Sequence, residues 1–381
     1  MAVLNGIDRL DYYEELFKGK RLGVIASSAS VDSDFNSTVD LLAERFDVRA
    51  LYGPEHGIRG DQGAGEMVED YIDMKTGIPV YSLYRKDSKR FTPELLEGVD
   101  AVVYDIQDVG VRYYTFISTM IYALEDCQKY GKELIILDRI NPLGGAIVEG
   151  NLLDEEFKSF VGAYSLPNRY GLTIGELAKM VNEEQQINCN LSIVPCKNWD
   201  RNSIFNETSR LWMMPSLGLP TFETAFSYVG TCLFEGTNIS EGRGTTCPFI
   251  MIGAPFIKAS ELVTNLKVLK LKGIYFTEAY FTPTFSKHQG KYCEGVHLHF
   301  SDYHQVSPLK IGLILLDMIK KMYPNEFEFV PPYSPTGKPF IDYLSGSSLF
   351  TDQENTYEMI IEKNHQDSLT FKKRKEAFHL Y

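Results

Sequence analysis

The chain has 381 residues, of which 44% are hydrophobic and 23% are charged, and its formal net charge is −13. This length favours two domains, and this composition is typical of a globular protein with a large core. The negative charge disfavours nucleic acid or an anionic membrane as a partner, because both select clustered Lys and Arg. No apolar run approaches the ~18 to 20 residues of a membrane span.

Apolar runs and amphipathic stretches alternate through the first half of the chain. The predicted strands are 22–26, 48–52, 80–83, 101–104, 134–137 and 191–195. The predicted helices are 37–46, 92–98, 114–130 and 173–184, the last capped by Thr173. Strands and helices that alternate in this way predict an α/β fold with a mostly parallel sheet.

The order of elements changes after residues 212–220, where two prolines interrupt regular structure and indicate a crossing between domains. Strand-like segments follow at 248–253, 273–281 and 294–300. Helices are predicted at 259–270, at 308–322 and over the last twenty-odd residues. Pairs of strands with occasional helices predict a smaller α+β domain.

Three short loops combine glycine with charged residues. They are Gly53–Gly60, Asp105–Tyr114 and Glu235–Thr245. Glycine lets the backbone approach a ligand closely, and carboxylates, Arg and Asn supply directional polar groups. We therefore expect the three loops to form one composite pocket.

Acidic residues follow successive predicted strands of the first domain. Glu55 follows the second strand, Asp105 and Asp108 follow the fourth, and Asp138 and Arg139 follow the fifth. Ligands of open parallel sheets bind beyond the carboxyl ends of the strands, so we expect these side chains to converge. Each carboxylate could instead cap the helix that follows it.

Several common chemistries lack their sequence signatures. Neither a GxxxxGK[ST] loop nor a GxSxG motif occurs, and Gly60–Gly65 does not stand between a strand and a helix as a dinucleotide fingerprint does. His297 and His299 alternate on one strand without an HExxH motif, so cross-strand packing explains them better than a metal. The six cysteines form no CxxC pair. We expect no cofactor and no metal.

The acidic residues of the loops are compatible with a reaction that uses a pair of carboxyl groups. Cleavage of a glycosidic bond needs one acid that protonates the leaving oxygen and a second group on the other side of the ring. Glu55 is the predicted acid, because it lies in a glycine-bounded turn, and partial burial would keep such an acid protonated. Asp105 or Asp108 is the predicted second group, with Arg112 holding the carboxylate.

Other residues of the loops are predicted to bind substrate. Tyr113 and Tyr114 could form a platform for a sugar, or could simply pack in the core. In the third loop, Asn238 and Glu241 offer hydrogen bonds, and Arg243 offers a bidentate contact for a carboxylate. The alternative is a loop that these polar side chains close on itself.

The motifs resemble those of a known family, the bacterial exo-β-N-acetylmuramidases of the NamZ type. The resemblance spans nearly the whole chain. The motifs that carry it are Gly53–Gly60, Asp105–Thr115, Leu137–Pro142, Val148–Gly150, Arg169–Glu176 and Leu233–Thr245 with Pro248 and Phe249. Residues 214–220 depart from the Pro-Asn sequence that relatives often have there.

The resemblance implies a Rossmann-like catalytic domain without a dinucleotide, here residues 1–228. It also implies an α+β auxiliary domain, here residues 229–381, which contributes a loop to a cleft between the domains. The implied activity is removal of N-acetylmuramic acid from the non-reducing end of peptidoglycan fragments during cell-wall recycling. By position Glu55 matches the suspected catalytic glutamate, and Asp105 and Asp108 rank ahead of Glu149 and Glu235 as the second group.

Muramic acid carries a lactyl carboxylate, so an acidic protein needs local arginines to bind it. The predicted substrate-binding residues are His56, Arg59, Arg112, Tyr113, Tyr114, Arg139, Glu149, Glu235, Asn238, Glu241 and Arg243. The expected partner is a small sugar or muropeptide. A non-catalytic muropeptide-binding protein and an amidase are the alternatives. No export signal is visible, which leaves the cytoplasm and the periplasm open, and the sequence does not indicate an oligomeric state.

Overall fold

The computed structural model describes residues 2–60, 69–335, 337–352 and 354–381. Most of the Gly60–Gly65 segment lies outside these residues. The chain forms two compact units, one of Met1–Ile147, Tyr170–Pro220 and Lys372–Tyr381, the other of Val148–Arg169 and Thr221–Phe371. The division at residue 228 stays a prediction.

The first unit is an α/β structure, which confirms the predicted fold class. Its strands are β1 (Arg21–Ala26), β2 (Asp47–Gly53), β3 (Tyr71–Ile72), β4 (Pro79–Ser82), β5 (Ala101–Asp105), β6 (Glu133–Leu137) and β7 (Asn190–Val194). Its helices are α1 (Thr38–Arg45), α2 (Phe116–Lys129) and α3 (Ile174–Glu184), and a 3₁₀ segment covers Gly6–Leu16. As predicted, Thr173 caps α3, and its hydroxyl accepts a hydrogen bond from the amide of Glu176.

The helix predicted over 92–98 is wrong in extent, since only Glu94–Leu96 forms a single 3₁₀ turn. Pro93 precedes this turn, and Gly98 follows it with a left-handed φ of 72°. The few residues between Pro93 and Gly98 can form too few hydrogen bonds to offset the free-energy cost of nucleating an α-helix.

The seven strands form one sheet in the order β3-β4-β2-β1-β5-β6-β7. All neighbours pair in parallel except β3 and β4, which are antiparallel. From β1 the chain adds β2 and β4 on one side of the sheet, and it then returns to the other side of β1 to add β5, β6 and β7. Such a reversal is where ligands bind in open parallel sheets. The central strands β1 and β5 are almost entirely buried, which explains their continuous apolar sequences.

The second unit has the predicted α+β character. Its antiparallel sheet has the order β8-β10-β9, with β8 at Met251–Ala254, β9 at Ile274–Phe281 and β10 at Cys293–Phe300. Its helices are α4 (Phe222–Thr231), α5 (Ala259–Val268), α6 (Pro308–Met322) and α7 (Phe340–Ser345). The last helix, α8 (Tyr357–Lys375), runs through the division between residues 371 and 372. Among the residues described, no helix is both long and apolar enough to cross a membrane.

Candidate active site

Glu55 lies in a tight turn directly after β2. The turn is closed by a 3.0 Å hydrogen bond from the amide of Gly57 to the carbonyl of Pro54. His56 and Gly57 both have left-handed φ angles, 74° and 76°, and this conformation is uncommon for a residue with a side chain. The turn leaves Glu55 half-buried at the carboxyl edge of the sheet.

Side chains from two other segments surround the Glu55 carboxyl group. Thr115, the residue before α2, donates a 2.6 Å hydrogen bond from Oγ1 to Glu55 Oε2. Burial raises the pKa of Tyr84 to about 12, and the charge of Glu55 and a hydrogen bond between the two side chains act in the same direction. The ammonium group of Lys89 lies 3.5 Å from the centre of the Tyr84 ring. Burial lowers the pKa of Lys89, and the charge of Glu55 opposes this shift.

Asp105 is fully buried at the end of β5 and is held by Arg139. The guanidinium group donates from Nε to Oδ1 at 2.5 Å and from Nη2 to Oδ2 at 2.8 Å. The hydroxyl of Thr38 also donates to Oδ2. Both oxygens are thus engaged, and the side chain has no contact with solvent. This environment suits a structural ion pair better than a group that meets substrate.

Asp108 has a different environment. Its Oδ2 accepts hydrogen bonds from the Tyr170 hydroxyl and, at 2.6 Å, from the Gly110 amide. Burial raises the pKa of Asp108 to about 6, although these hydrogen bonds oppose the shift. Gly110 has a φ of 76°, and a Cβ atom there would lie 2.3 Å from Asn141 Oδ1, so this loop requires glycine. Asp108 is therefore a carboxyl group whose pKa lies above the usual range of an aspartate.

The other predicted residues near these loops are mostly buried. Arg112 is fully buried, and Tyr113 and Tyr114 are nearly so. The Tyr114 ring packs edge-on against Phe116 at 4.9 Å, and the His56 ring lies 6.2 Å from the same phenylalanine. These contacts favour packing for Tyr114, and the sugar platform stays a prediction.

Arg59 lies on the first loop but is engaged by two carboxylates. Its Nη2 lies 2.9 Å from Asp73 Oδ2 and 3.0 Å from Asp40 Oδ1. Its Nε donates to Asp73 Oδ1 at 3.1 Å. The pKa of Arg59 is raised, chiefly by the hydrogen bond to Asp73.

The third loop belongs to the second unit and forms its own ion-pair cluster. Arg243 donates from Nε and Nη2 to Glu235 Oε1, at 3.1 and 2.8 Å. The buried Glu241 lies 3.5 Å from Arg243 Nε and 2.8 Å from Lys287 Nζ. Burial raises the pKa of Glu235, and the charge of Arg243 opposes this shift. The expectation that this loop joins the first two in one pocket stays a prediction.

Two further predicted site residues, both in the second unit, form hydrogen bonds with other residues of that unit. The Asn238 side chain donates to the Glu326 carbonyl at 2.7 Å and accepts from the Glu328 amide at 3.1 Å. Glu149 accepts from Arg169 at 2.7 Å and from the Ser307 hydroxyl at 2.5 Å. These contacts hold separate segments of the second unit together, and a role in binding substrate stays a prediction for both.

The structure adds residues that the predicted site lacks. Thr115 and Tyr170 lie in motifs that carry the family resemblance, so the motifs offered a signal for both. Tyr84 and Lys89 lie in the loop after β4, where the sequence has no recognisable pattern. Their place beside Glu55 follows from the pairing of β4 with β2.

The fold and these side chains define a Rossmann-like α/β protein with carboxyl groups at the carboxyl edge of its parallel sheet. The family model for the N-terminal domain of the exo-β-N-acetylmuramidase NamZ matches residues 22–223, and the model for its C-terminal domain matches residues 226–381. The chain therefore belongs to the NamZ exo-β-N-acetylmuramidase family.

Individual relatives agree with this assignment. The chain is 47% identical over 386 residues to the peptidoglycan β-N-acetylmuramidase NamZ of Bacillus subtilis (strain 168), which covers 100% of this chain and 91% of the relative. Crystal structures of two DUF1343 family proteins from Bacteroides fragilis NCTC 9343 are also similar, each matching 100% of this chain and 99% of its own. One has a TM-score of 0.91 at 35% identity, and the other has 0.77 at 28%.

Proposed function

We propose that this protein is an exo-acting glycoside hydrolase that releases N-acetylmuramic acid from the non-reducing end of peptidoglycan fragments. The observation that carries the proposal is the 47% identity, over the full chain, to the peptidoglycan β-N-acetylmuramidase of Bacillus subtilis. The substrate is a small glycan or muropeptide of the kind that cell-wall recycling produces. A substrate of this kind is compatible with a location of the protein in either the cytoplasm or the periplasm.

Glu55 is the proposed general acid. Its carboxyl group is half-buried and accepts a hydrogen bond from Thr115, so its position and orientation are fixed before substrate arrives. Protonation of the glycosidic oxygen by Glu55 lets the bond to the anomeric carbon break. Water then adds to that carbon, and the proton that it loses passes to a carboxylate.

Asp108 is the proposed second carboxyl group. Its pKa of about 6 places it near the point where a group can hold or release a proton at neutral pH. Asp105 is better suited to holding Arg139 through their buried bidentate contact. The lactyl carboxylate of the sugar would have to compete with Asp73 for Arg59 and with Glu235 for Arg243.

The direct test is Glu55→Gln, assayed on a chromogenic β-glycoside of N-acetylmuramic acid. Loss of a general acid should lower kcat by about 10²–10⁴-fold in a protein that remains folded. Glu97→Gln is the matched control, because Glu97 is exposed just after the Glu94–Leu96 turn. Near-normal turnover by Glu55→Gln would remove Glu55 from this role. Saturable binding of the glycoside by wild-type protein without sugar release would contradict the enzymatic function, and release of peptide instead of sugar would indicate an amidase.

A further inference from the structure

A small cavity of about 190 Å³ lies within the second unit. Its walls come from residues 148–150, from the start of α6 and from one side of α8. Every residue that lines it belongs to the second unit. The steps proposed for Glu55 and Asp108, which lie in the first unit, make no use of this cavity.

Asn364 places a hydrogen-bond acceptor without a partner in the cavity wall. Its side chain lines the cavity from α8, and the residue is only 8% exposed. Its Oδ1 is buried and accepts no hydrogen bond from any residue that the structure describes. Buried amide oxygens nearly always accept a hydrogen bond, so a ligand that brings an N–H or O–H group is expected there.

The hydroxyl groups in the wall already have partners in the protein. Ser368 Oγ donates to the Gly150 carbonyl at 3.1 Å, and Ser307 Oγ donates to Glu149 Oε2 at 2.5 Å. Both contacts join segments that form the wall, so they fix its shape. Asn364 Oδ1 differs from these groups, because its capacity to accept a hydrogen bond is unused.

Glu149 lines the cavity, but its negative charge is compensated by other groups of the wall. Its Oε1 accepts from Arg169 Nη1 at 2.7 Å. Its Oε2 faces the start of α6 and accepts from the Leu309 amide at 3.4 Å. A guanidinium group and the positive end of a helix thus balance this carboxylate. Glu149 therefore does not by itself prevent an anion from entering the cavity.

The opening of the cavity is basic. Lys310 and His365 both line the cavity and are exposed, so they lie where it meets solvent. Neither forms an ion pair within the described part of the chain. Although the whole chain has a net charge of −13, this opening favours a ligand with an anionic group.

The remainder of the wall is apolar and the space is small. The apolar lining residues are Val148, Leu309, Leu313 and Ile361. The volume lies below the ~300–1,000 Å³ range of sites for larger ligands, so only a compound of a few non-hydrogen atoms fits. Such a compound needs a short apolar part, a hydrogen-bond donor and an anionic group.

We infer that this cavity binds a small carboxylate whose neighbouring carbon carries a hydroxyl or amino group and a short apolar chain. The O–H or N–H group donates to Asn364 Oδ1, and the apolar chain packs against the apolar wall. The carboxylate faces Lys310 and His365. Lactate and alanine are the simplest compounds of this kind. The inference does not rest on the proposed function, since no glycan takes part in it.

Isothermal titration calorimetry of the full chain with lactate, alanine and propionate tests the inference. Propionate keeps the carboxylate and the methyl group but lacks the donor. Lactate or alanine should bind saturably, with a Kd that is roughly millimolar for a ligand of this size. Propionate should bind at least about tenfold more weakly, because it leaves Asn364 Oδ1 unpaired.

The comparison of lactate with alanine shows whether the ligand is a hydroxy acid or an amino acid. Absence of saturable binding for both compounds would overturn the inference. Equal affinity for propionate would also overturn it. These outcomes are measured on the wild-type protein and do not depend on whether any variant folds.

Asn364→Leu tests the part played by the unpaired oxygen, because leucine has a similar size and no acceptor. The variant should bind lactate and alanine at least about tenfold more weakly and should no longer discriminate them from propionate. Asn325→Leu is the matched control, since Asn325 is exposed in the same unit and does not line the cavity. It should leave all three affinities within about twofold. Discrimination that persists in Asn364→Leu would overturn the inference.

Lys310→Gln tests the orientation of the carboxylate. Loss of this charge should weaken binding of all the compounds, propionate included, by about threefold. Lys267→Gln is the control, because Lys267 is exposed on α5 and does not line the cavity. Equal affinities for the two variants would show that the carboxylate does not face this opening and would overturn the inferred binding mode.

Discussion

The Thr115 hydroxyl donates a 2.6 Å hydrogen bond to Oε2 of Glu55. Thr115 precedes α2 and Glu55 follows β2, so this bond joins two loops at the same edge of the sheet. It holds Oε2 of Glu55 in place. Thr115 therefore positions Glu55, although no step of the proposed reaction needs Thr115 itself.

Thr115→Val tests this positioning role. The substitution keeps the side-chain shape and removes the donor, which should lower kcat for the chromogenic muramide by about tenfold, because Glu55 is then held less firmly in position for proton transfer. KM should change little.

Thr115→Ser is the control, because serine keeps the hydroxyl. It should restore most of kcat, with KM unchanged. Equal rates for the Val and Ser variants would show that the hydrogen bond does not act on Glu55.

The buried pair of Asp105 and Arg139 should matter for stability. Asp105→Asn removes one charge and leaves a guanidinium group buried without its full partner, which typically costs about 3–5 kcal/mol in the free energy of unfolding. Urea denaturation followed by circular dichroism measures this change.

The exposed pair of Asp100 and Arg21 provides the control. Arg21 Nη2 lies 2.7 Å from Asp100 Oδ1, but both side chains are in contact with solvent. Asp100→Asn should therefore cost less than about 1 kcal/mol. A similar loss for both variants would show that burial does not set the importance of the Asp105 pair.

The strands and helices of the sheet were predictable because their sequence signals are local. Leu22–Ala26 and Ala101–Tyr104 are continuous apolar runs, and they form central strands buried on both faces. The capping box of Thr173 and Glu176 marks the start of α3 within four residues. The carboxyl edge of the sheet, with Glu55 and Asp108 beside it, follows from this alternation.

The partners of the polar site residues were not predictable, because they are distant in sequence. Arg59 is predicted to bind substrate, and in the structure it pairs with Asp40 of α1 and with Asp73, which follows β3. Asn238 likewise binds the backbone near residues 326–328. Nothing in the sequence around either residue indicates these contacts, since they depend on tertiary packing.

The Tyr381 side chain fixes the end of the chain within the first unit. Its hydroxyl donates to Asp138 Oδ2 at 2.6 Å and accepts from the Cys196 amide at 2.7 Å. Tyr381→Phe would leave both buried groups without this partner. We expect a loss of about 2–3 kcal/mol in the free energy of unfolding, measured by urea denaturation. Tyr12→Phe is the control, because Tyr12 is 82% exposed and its change should cost almost nothing.

Asp108 should make stability depend on pH. Burial raises its pKa to about 6 in the folded protein, whereas an unfolded aspartate has a pKa of ~3.9. The folded state therefore holds the proton more tightly, so the contribution of Asp108 to stability is fully present below pH ~4 and is lost as the pH rises through about 6. Asp108→Asn keeps an acceptor for Tyr170 and Gly110 and has no charge to bury. The variant should be as stable as wild type near pH 4 and more stable at pH 7, by at most about 2–3 kcal/mol.

Urea denaturation at several pH values between 4 and 7 measures this difference. Tyr170→Phe is the companion variant, because the Tyr170 hydroxyl donates to Asp108 and favours its ionised form. Without that hydroxyl the pKa of Asp108 should rise further, and the loss of stability with pH should have its midpoint at a higher pH than in wild type. A difference between Asp108→Asn and wild type that stays constant from pH 4 to 7 would show that Asp108 does not titrate in this range, and would remove the basis for its role as a proton-exchanging group.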